Sequence, residues 1–234
     1  MKKTMRIDII SAVPELLSSP LNFSILKRAQ TKKKVEIVVH NLRDYAYDKH
    51  KQIDDKPFGG EPGMVLKPGP FFECINNLQN ERSYDNIIFT TPRGKIFDQK
   101  TANKFSLAKN IIIVAGHYKE IDERVREKFA TDEISIGNFV LTGGELPALM
   151  ITDAVVRLIP GVLNDSESAL NDSFQNGESI EAPCYTRPAE YNGMKVPDVL
   201  LSGNKKEIDK WKVEQSLSLT KKWKELNKNG ENNG

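Results

Sequence analysis

The chain has 234 residues, of which 38% are hydrophobic and 28% are charged, a composition typical of a globular protein with a sizeable core. The formal net charge is only +2, so the total charge does not indicate a nucleic-acid binder, and any basic surface must come from local clustering of Lys and Arg. No apolar run is long or continuous enough for a secretion signal or a membrane span, which predicts a cytoplasmic protein without membrane contact.

The cysteines and histidines lack the spacing of metal ligands. Cys74 and Cys184 form no CxxC pair, and His40, His50 and His117 lie far apart in the sequence. We therefore expect reduced thiols and no structural zinc.

The chain begins with a strand predicted over Met5–Ser11, a helix over Asn22–Gln30 and a strand over Val35–Val39. Residues 41–70 follow and show no sustained period, with charge, Gly and Pro throughout. Their aromatic and apolar residues argue against plain disorder, so we expect a long functional loop. A short helix is predicted over Phe71–Leu78.

Residues 86–136 alternate between strands and helices. Strands are predicted over Asn86–Thr90, Asn110–Ala115 and Asp132–Ile136, and helices over Lys100–Leu107 and Ile121–Phe129. The run NIIIVA is apolar at nearly every position, as expected for a strand that is covered on both faces. The alternation predicts an α/β fold with a parallel sheet.

The segment 134–161 indicates a strand, a glycine turn and a helix. Gly143 and Gly144 can bring bare backbone close to a ligand, and the helix that starts at Glu145 is stopped by Pro160 and Gly161. A helix start with free backbone N–H groups suits a nucleotide-like ligand. A tight turn between core elements is the plainer interpretation of an isolated pair of glycines.

Glycine-bearing turns follow each of the predicted strands in this region, at TPRG (residues 91–94), GHYK (residues 116–119) and LTGG (residues 141–144). The carboxyl ends of parallel strands meet at one edge of a sheet, where the ligands of open α/β proteins bind. We therefore expect these three turns to converge on one site.

The sequence changes in character after residue 161. Residues 162–181 are rich in Asn, Ser, Asp and Glu, which predicts a linker between a first domain (1–161) and a small second domain (182–234). A lysine-rich helix is predicted from Lys205 to about Leu226, with a disordered tail beyond it.

An ordered set of motifs resembles the bacterial tRNA (guanine-N1)-methyltransferases, the TrmD family of the SPOUT superfamily. In chain order the motifs are RDYAYDKHKQIDDKPFGGEPGM, TTPRG, AGHYKEIDERV, SIGNFVLTGGELPA, IPGV, NDSF, YTRPAEYNG and PDVLLSGN. The resemblance implies a SPOUT α/β domain with a deep trefoil knot, a small mainly α-helical C-terminal domain, and a homodimer with active sites at the subunit interface. Topological rules alone argue against a threaded chain.

The resemblance also implies that the three turns bind S-adenosyl-L-methionine, the methyl donor. The implied binding residues are Pro92, Gly94, Gly116, Tyr118, Ile136, Gly137, Asn138, Phe139, Val140, Leu141, Gly143, Gly144 and Pro147. An adenine ring needs apolar walls and a few backbone partners, and glycines allow close approach. Core packing is the plainer interpretation of the aliphatic members of this set.

Catalysis requires a base for the proton on guanine N1, and the resemblance assigns that role to Asp172, acting on the donor held by the other subunit. Arg157 is implied to orient this aspartate and to help stabilise charge. An ordinary aspartate is a weak base at neutral pH, so the site must strengthen it or stabilise negative charge on the guanine oxygen. Local sequence alone indicates a solvated turn at Asp172 and a dipole-favourable helix end at Arg157.

The resemblance also implies a bound Mg²⁺, for which the sequence offers no dedicated cluster of ligands. The implied RNA partner is tRNA, with lysines of the last helix and Arg187 near phosphates. Three positions depart from the family pattern: Lys119 stands where Glu is frequent, Asn138 replaces Asp, and Glu61 stands where a third Gly of the 50–61 cover loop is usual.

Three functions are compatible with these motifs. The leading one is methyl transfer to the guanine immediately 3′ of the tRNA anticodon. The second is another SPOUT reaction such as ribose methylation. The motif NDSF and Arg157 disfavour it, because only methylation of the guanine ring nitrogen needs the proton acceptor that they would supply. The third is a non-catalytic RNA-binding or donor-sensing protein, which the three departures keep open.

Overall fold

The structure, a computed structural model, describes residues 4–163, 172–175 and 177–231, the last four of these without their side chains. The chain divides into two compact units, residues 1–164 and residues 165–234. We call them the α/β unit and the C-terminal unit. No helix among the described residues is both long and apolar enough to cross a bilayer.

The α/β unit alternates strands and helices as the sequence predicts. Its elements are β1 Met5–Ser11, α1 Glu15–Leu21, α2 Ser24–Thr31, β2 Val35–Asn41, a 3₁₀ turn Leu42–Tyr45, β3 Asp54–Asp55, β4 Val65–Leu66, α3 Pro68–Glu81, β5 Asn86–Ile96, α4 Gln99–Ser106, β6 Asn110–Ala115, β7 Glu120–Ile121, α5 Glu123–Phe129, β8 Asp132–Ser135 and α6 Glu145–Val156.

A five-stranded sheet in the order β2-β1-β6-β5-β8 forms the centre of this unit. Every neighbouring pair is parallel, which confirms the predicted α/β class. All six residues of β6 are buried, as the nearly continuous apolar run NIIIVA predicts. One apolar cluster joins the sheet to α1, α2, α4 and α6, and a second joins its other face to α3 and α5. Full burial of a side chain such as Phe71 or Phe105 contributes roughly 2–3 kcal/mol.

Strand β5 does not end at Thr90 as predicted. It continues to Ile96 after a bulge, since Thr90 and Lys95 both pair with Ile134 of β8. The predicted TPRG turn is therefore a bulge within one strand. Gly94 permits this bulge, because a Cβ there would lie 2.5 Å from the backbone nitrogen of Ile134.

The long segment 41–70 is more ordered than its composition suggests. Strands β3 and β4 pair antiparallel, and β4 pairs parallel with β7. Ile53 and Leu66 are fully buried. The segment is thus fixed to the chain just after the GHYK turn.

Several helix bounds differ from the sequence prediction. Helix α1 was not predicted, because Pro20 and two serines obscure its period, but buried Leu17 and Leu21 pack it into the core. Helix α3 begins at Pro68, which is tolerated in a first turn. Helix α6 ends at Val156 rather than near Ile159, with Arg157 as its C-cap.

The C-terminal unit contains a short hairpin and two helices. Its elements are β9 Glu190–Tyr191, β10 Met194–Lys195, α7 Asp198–Leu201 and α8 Lys205–Glu231. Helix α8 extends past the predicted end at Leu226 into the predicted disordered tail. The hairpin pairs antiparallel.

Part of the predicted linker packs against α8. The Ser216 hydroxyl donates to the carbonyl of Ile180 at 2.6 Å, and the Thr220 hydroxyl accepts from the Ile180 N–H at 2.9 Å. The rings of Phe174 and Trp223 meet edge to face with centroids 5.3 Å apart. Residues 164–171 and 176 of that linker lie outside the described residues.

Candidate functional site

A pocket opens at the bulge of β5 and at the carboxyl end of β8. It is lined by Thr90, Thr91, Pro92, Ile134, Ser135, Ile136, Gly137, Phe139, Leu141, Gly143, Gly144 and Pro147. Two of the three glycine-bearing segments, residues 91–94 and 141–144, thus contribute to one pocket. The third, residues 116–119, lies directly behind it, because the Gly144 N–H donates to the Gly116 carbonyl at 2.6 Å.

The structure separates the residues implied for donor binding into two groups. Those that line the pocket are Pro92, Ile136, Gly137, Phe139, Leu141, Gly143, Gly144 and Pro147. Those that do not line it are Gly94, Gly116, Tyr118, Asn138 and Val140. In the second group the two glycines support the backbone around the pocket, whereas the Val140 side chain is 84% exposed.

Gly144 has the most restricted position in the pocket. A Cβ there would lie 2.1 Å from the hydroxyl oxygen of Thr90 and 2.7 Å from the nitrogen of Gly116. The chain can therefore pass between the ends of β5 and β6 only with a bare backbone.

Ser135 and Gly137 shape the opposite wall. The Ser135 hydroxyl donates to the Gly137 carbonyl at 3.1 Å. Gly137 has a φ of 143°, and a Cβ on it would lie 2.7 Å from the ring of Phe139. Contacts within the turn after β8 therefore fix its conformation. Leu141 and Pro147 line the pocket with apolar side chains.

Thr91, one of the residues that line the pocket, carries a buried hydroxyl group. The Oγ1 atom of Thr91 is buried, and none of the described residues forms a hydrogen bond with it. A buried polar atom without a partner is costly unless a ligand or water satisfies it. Thr91 and Ser135 were absent from the sequence-based set, although a Thr before Pro92 at a strand end was the available signal.

Three polar side chains meet behind the pocket. Glu145, the first residue of α6, is only 1% exposed. Its Oε1 accepts a hydrogen bond from the Ser11 hydroxyl at 2.8 Å, and its Oε2 lies 3.4 Å from Nδ1 of His117. These contacts join α6 to the end of β1 and to the turn after β6.

A charged cluster anchors the β5 bulge. Arg93 donates to Glu123 at 2.6 Å, and the buried Arg126 contacts both Glu123 and Glu133. The bulge that carries Pro92 is therefore connected to α5 and to β8. These ion pairs restrict the movement of the part of the pocket wall that Pro92 forms.

The cover loop contacts the turn after β6. Lys119, one departure from the family pattern, forms an ion pair with Glu61, another departure. The Lys119 N–H donates to the Met64 carbonyl at 3.0 Å, and Arg43 lies 3.5 Å from the hydroxyl of Tyr118. Two unusual charges are thus paired with each other.

The implied catalytic residues lie in different units. Arg157 is the half-buried C-cap of α6 in the α/β unit. Asp172 is half-buried in the C-terminal unit, where it lines a groove together with Glu181, Tyr185 and residues of α8. Within residues 4–163, 172–175 and 177–231, no group of three or more His, Cys, Asp or Glu side chains could hold a metal ion.

The fold and the pocket define a parallel α/β protein with a glycine-lined pocket at the carboxyl edge of its sheet. A family model described as tRNA (Guanine-1)-methyltransferase TrmD matches residues 5–228. The chain therefore belongs to the tRNA (guanine-1)-methyltransferase family, an enzyme family of transferases, which confirms the resemblance seen in the sequence.

Individual relatives match over almost their whole length. The tRNA (guanine-N(1)-)-methyltransferase of Cytophaga hutchinsonii is 60% identical over 93% of this chain and 92% of its own. Proteins of the same name from Bacteroides thetaiotaomicron and Chlorobaculum tepidum are both 57% identical, over 93% and 92% of this chain and 96% and 94% of their own.

Proposed function

We propose that this chain is a tRNA (guanine-37-N1)-methyltransferase, which transfers a methyl group from S-adenosyl-L-methionine to the guanine 3′-adjacent to the anticodon. Family membership supports the reaction and the substrate class. The observation that carries the proposal is the pocket in which Gly143 and Gly144 pass beside the ends of β5 and β6.

The residues of this pocket fit an adenosine-bearing methyl donor. Ile134, Leu141 and Pro147 supply apolar walls for a base. The buried hydroxyl of Thr91 has no hydrogen-bond partner among the described residues, and a polar ligand atom that reached it would satisfy it. The glycines form a cradle that side chains would fill.

S-adenosyl-L-methionine supplies an electrophilic methyl group when bound, so the protein must orient the guanine and remove its N1 proton. We assign the proton removal to Asp172 of the partner subunit. Arg157 would orient that carboxylate and stabilise negative charge on the guanine oxygen. No step is assigned to Mg²⁺.

Exposed apolar residues support the homodimer in this proposal. Leu146 and Met150 lie one turn apart on α6 and are 53% and 52% exposed, and Leu16 of the neighbouring α1 is 50% exposed. Patches of this kind on a soluble protein commonly mark interaction surfaces. A second copy of the chain would cover the patch through a two-fold interface and bring the partner's linker to the pocket.

We assign tRNA binding to the C-terminal unit. Helix α8 has exposed lysines along its length, namely Lys205, Lys206, Lys210, Lys212, Lys221, Lys222 and Lys224. Lysines placed along a helix neutralise phosphates, and exposed aromatic side chains such as Tyr185 and Tyr191 stack on unpaired bases. A cytoplasmic location follows from the tRNA substrate.

The proposal also includes the trefoil knot of the SPOUT fold. Strand β8 lies at the edge of the sheet, yet the chain that follows it returns past the ends of β5 and β6 before α6 begins. Family membership supports a threaded chain.

Labelled S-adenosyl-L-methionine and unmodified tRNA test the proposal directly. We expect label in tRNA that carries guanine 3′ of the anticodon, none in a matched tRNA with adenine there, and 1-methylguanosine after digestion. A 2′-O-methylnucleoside would indicate the ribose reaction instead. Absence of transfer despite donor binding would indicate a non-catalytic protein.

A further inference from the structure

Glu145 is a buried acid that does not line the donor pocket. Its side chain is only 1% exposed although it opens a helix at the edge of a cleft. Burial of a carboxylate is unfavourable unless hydrogen bonds compensate for the lost water. Its partners are therefore informative about its role.

Ser11 is the first partner and marks the end of β1. Its hydroxyl accepts a hydrogen bond from the Val13 N–H at 2.9 Å, and it donates to Oε1 of Glu145 at 2.8 Å. A hydroxyl has one proton to donate, so the orientation of this group is fully defined. Glu145 is thereby fixed to the sheet.

His117 is the second partner and belongs to the turn after β6. Its Nδ1 atom lies 3.4 Å from Oε2 of Glu145, a contact that becomes a hydrogen bond when Nδ1 carries the proton. Residue 117 also forms a backbone bridge with Gly143 of the pocket wall. A Cβ on Gly143 would lie 2.3 Å from Oε2 of Glu145 and 2.6 Å from Nδ1 of His117, so the glycine leaves space for this contact.

We propose that Glu145 is a positioning residue for the methyl donor, acting through His117 to hold the turn 116–119 against the turn 141–144. This inference rests on the proposed function, because the ligand is the donor of that reaction. Gly143 and Gly144 line the pocket with bare backbone, and a displacement of either turn changes the position of this wall directly.

The alternative is a purely structural acid that stabilises the N-terminus of α6. Such a residue would affect the unfolding temperature and leave the affinity of the folded protein for the donor unchanged. A positioning residue instead changes donor affinity and leaves the use of tRNA unaffected. The two roles therefore differ in a measurable quantity.

Glu145→Gln provides the first test, with Glu127→Gln on the exposed face of α5 as the matched control. Calorimetric titration with S-adenosyl-L-methionine should give a Kd about tenfold higher for Glu145→Gln and an unchanged Kd for the control. The KM for the donor should rise in parallel, with the KM for tRNA and kcat within about twofold of wild type. An unchanged Kd for folded Glu145→Gln would overturn the inference.

Variants of His117, whose side chain is 21% exposed, provide a second test that does not depend on the folding of Glu145→Gln. His117→Ala should weaken donor binding, and His117→Asn, which can place an N–H near the position of Nδ1, should restore most of it. In the double variant Glu145→Gln/His117→Ala the losses should not add, since both residues act through one contact. Additive losses would overturn the assigned route, whereas a wild-type protein that binds no donor would refute the proposed function itself.

Discussion

The two units of this protein differ sharply in how they bury their residues. The α/β unit contains two apolar clusters on the faces of one sheet. In the described part of the C-terminal unit, by contrast, no residue is fully buried, and Val213 and Leu217 of α8 are 59% and 66% exposed.

This difference indicates that the two units have different roles. A pocket formed by backbone turns needs a densely packed scaffold, because its geometry depends on small displacements. A unit with only half-buried and exposed residues leaves surface for partners, which in the proposed function are tRNA and a second subunit. We therefore expect changes in the α/β unit to alter donor binding and stability, and changes in the C-terminal unit to alter turnover.

The largest effect is expected at Asp172. Asp172→Asn should reduce kcat by about 10²–10⁴-fold, the usual contribution of a general base, and should leave the Kd for S-adenosyl-L-methionine unchanged. Asp198→Asn, an exposed acid of the same unit, is the control and should keep wild-type turnover. Single-turnover methylation with labelled donor measures the effect, and normal turnover by Asp172→Asn would refute the assigned base.

A large effect on stability alone is expected at Asp8 in β1. This fully buried carboxylate accepts hydrogen bonds from Arg6 at 2.9 Å, Tyr84 at 2.8 Å and His40 at 2.7 Å. Asp8→Asn should lower the free energy of unfolding by about 3 kcal/mol, since it leaves buried partners uncompensated. Asp44→Asn, at an exposed ion pair with Lys51, should change it by less than about 0.5 kcal/mol.

The Asp8 network also predicts an acid dependence. Burial alone would raise the pKa of Asp8, but hydrogen bonds from His40, Arg6 and Tyr84 outweigh it and lower the pKa from 3.8 to about 2. Because the pKa is lower in the folded state, this stabilisation is complete above about pH 4 and is lost as the pH falls toward 2. The free energies of unfolding of wild type and Asp8→Asn, measured with urea, should therefore approach each other by about 2 kcal/mol over that range. A difference between them that does not change with pH would contradict the network.

An intermediate effect is expected at Gly144, where a Cβ would overlap backbone and side-chain atoms. Gly144→Ala should lower the free energy of unfolding by about 2 kcal/mol and weaken donor binding at least tenfold. Gly69→Ala is the control, because Gly69 is helical and nothing lies within 4 Å of the added Cβ. If the two variants gave the same thermal unfolding curve and the same donor titration curve, the close packing of Gly144 against Thr90 and Gly116 would be contradicted.

The smallest effect is expected at the exposed ion pair of Glu61 and Lys119. Glu61→Gln and Lys119→Gln should each weaken donor binding by less than about fivefold, since exposed pairs contribute roughly 0–1 kcal/mol. The double variant should be no weaker than either single variant if the charges compensate each other. Donor titration of all three measures this coupling.

Local patterns predicted the parts of the fold that depend on local sequence. The apolar run of β6 was enough to predict a strand covered on both faces. The continuation of β5 to Ile96 depends on pairing with β8, and the small sheet of β3 and β4 depends on Glu120–Ile121, more than fifty residues away in the chain. Sequence patterns do not report such distant pairings.

The candidate site shows the same limit. Gly143 and Gly144 were assigned to a ligand turn because the string around them resembles the family motif, and glycine allows close approach of a ligand to the backbone. Thr91 and Ser135 were not assigned, because short polar residues next to turns resemble ordinary turn residues. The contact between Glu145 and His117 joins two turns, and neither residue carries a periodic signal.

Subunit complementation tests the central claim most directly. Asp172→Asn keeps an intact pocket, and Leu141→Arg places a bulky cation at the partly exposed edge of the pocket and keeps Asp172. Each homodimer should be inactive, whereas the purified mixed dimer should contain one complete site and methylate tRNA at about half the wild-type rate. A mixed dimer as inactive as both parents would contradict the claim that donor pocket and base come from different subunits.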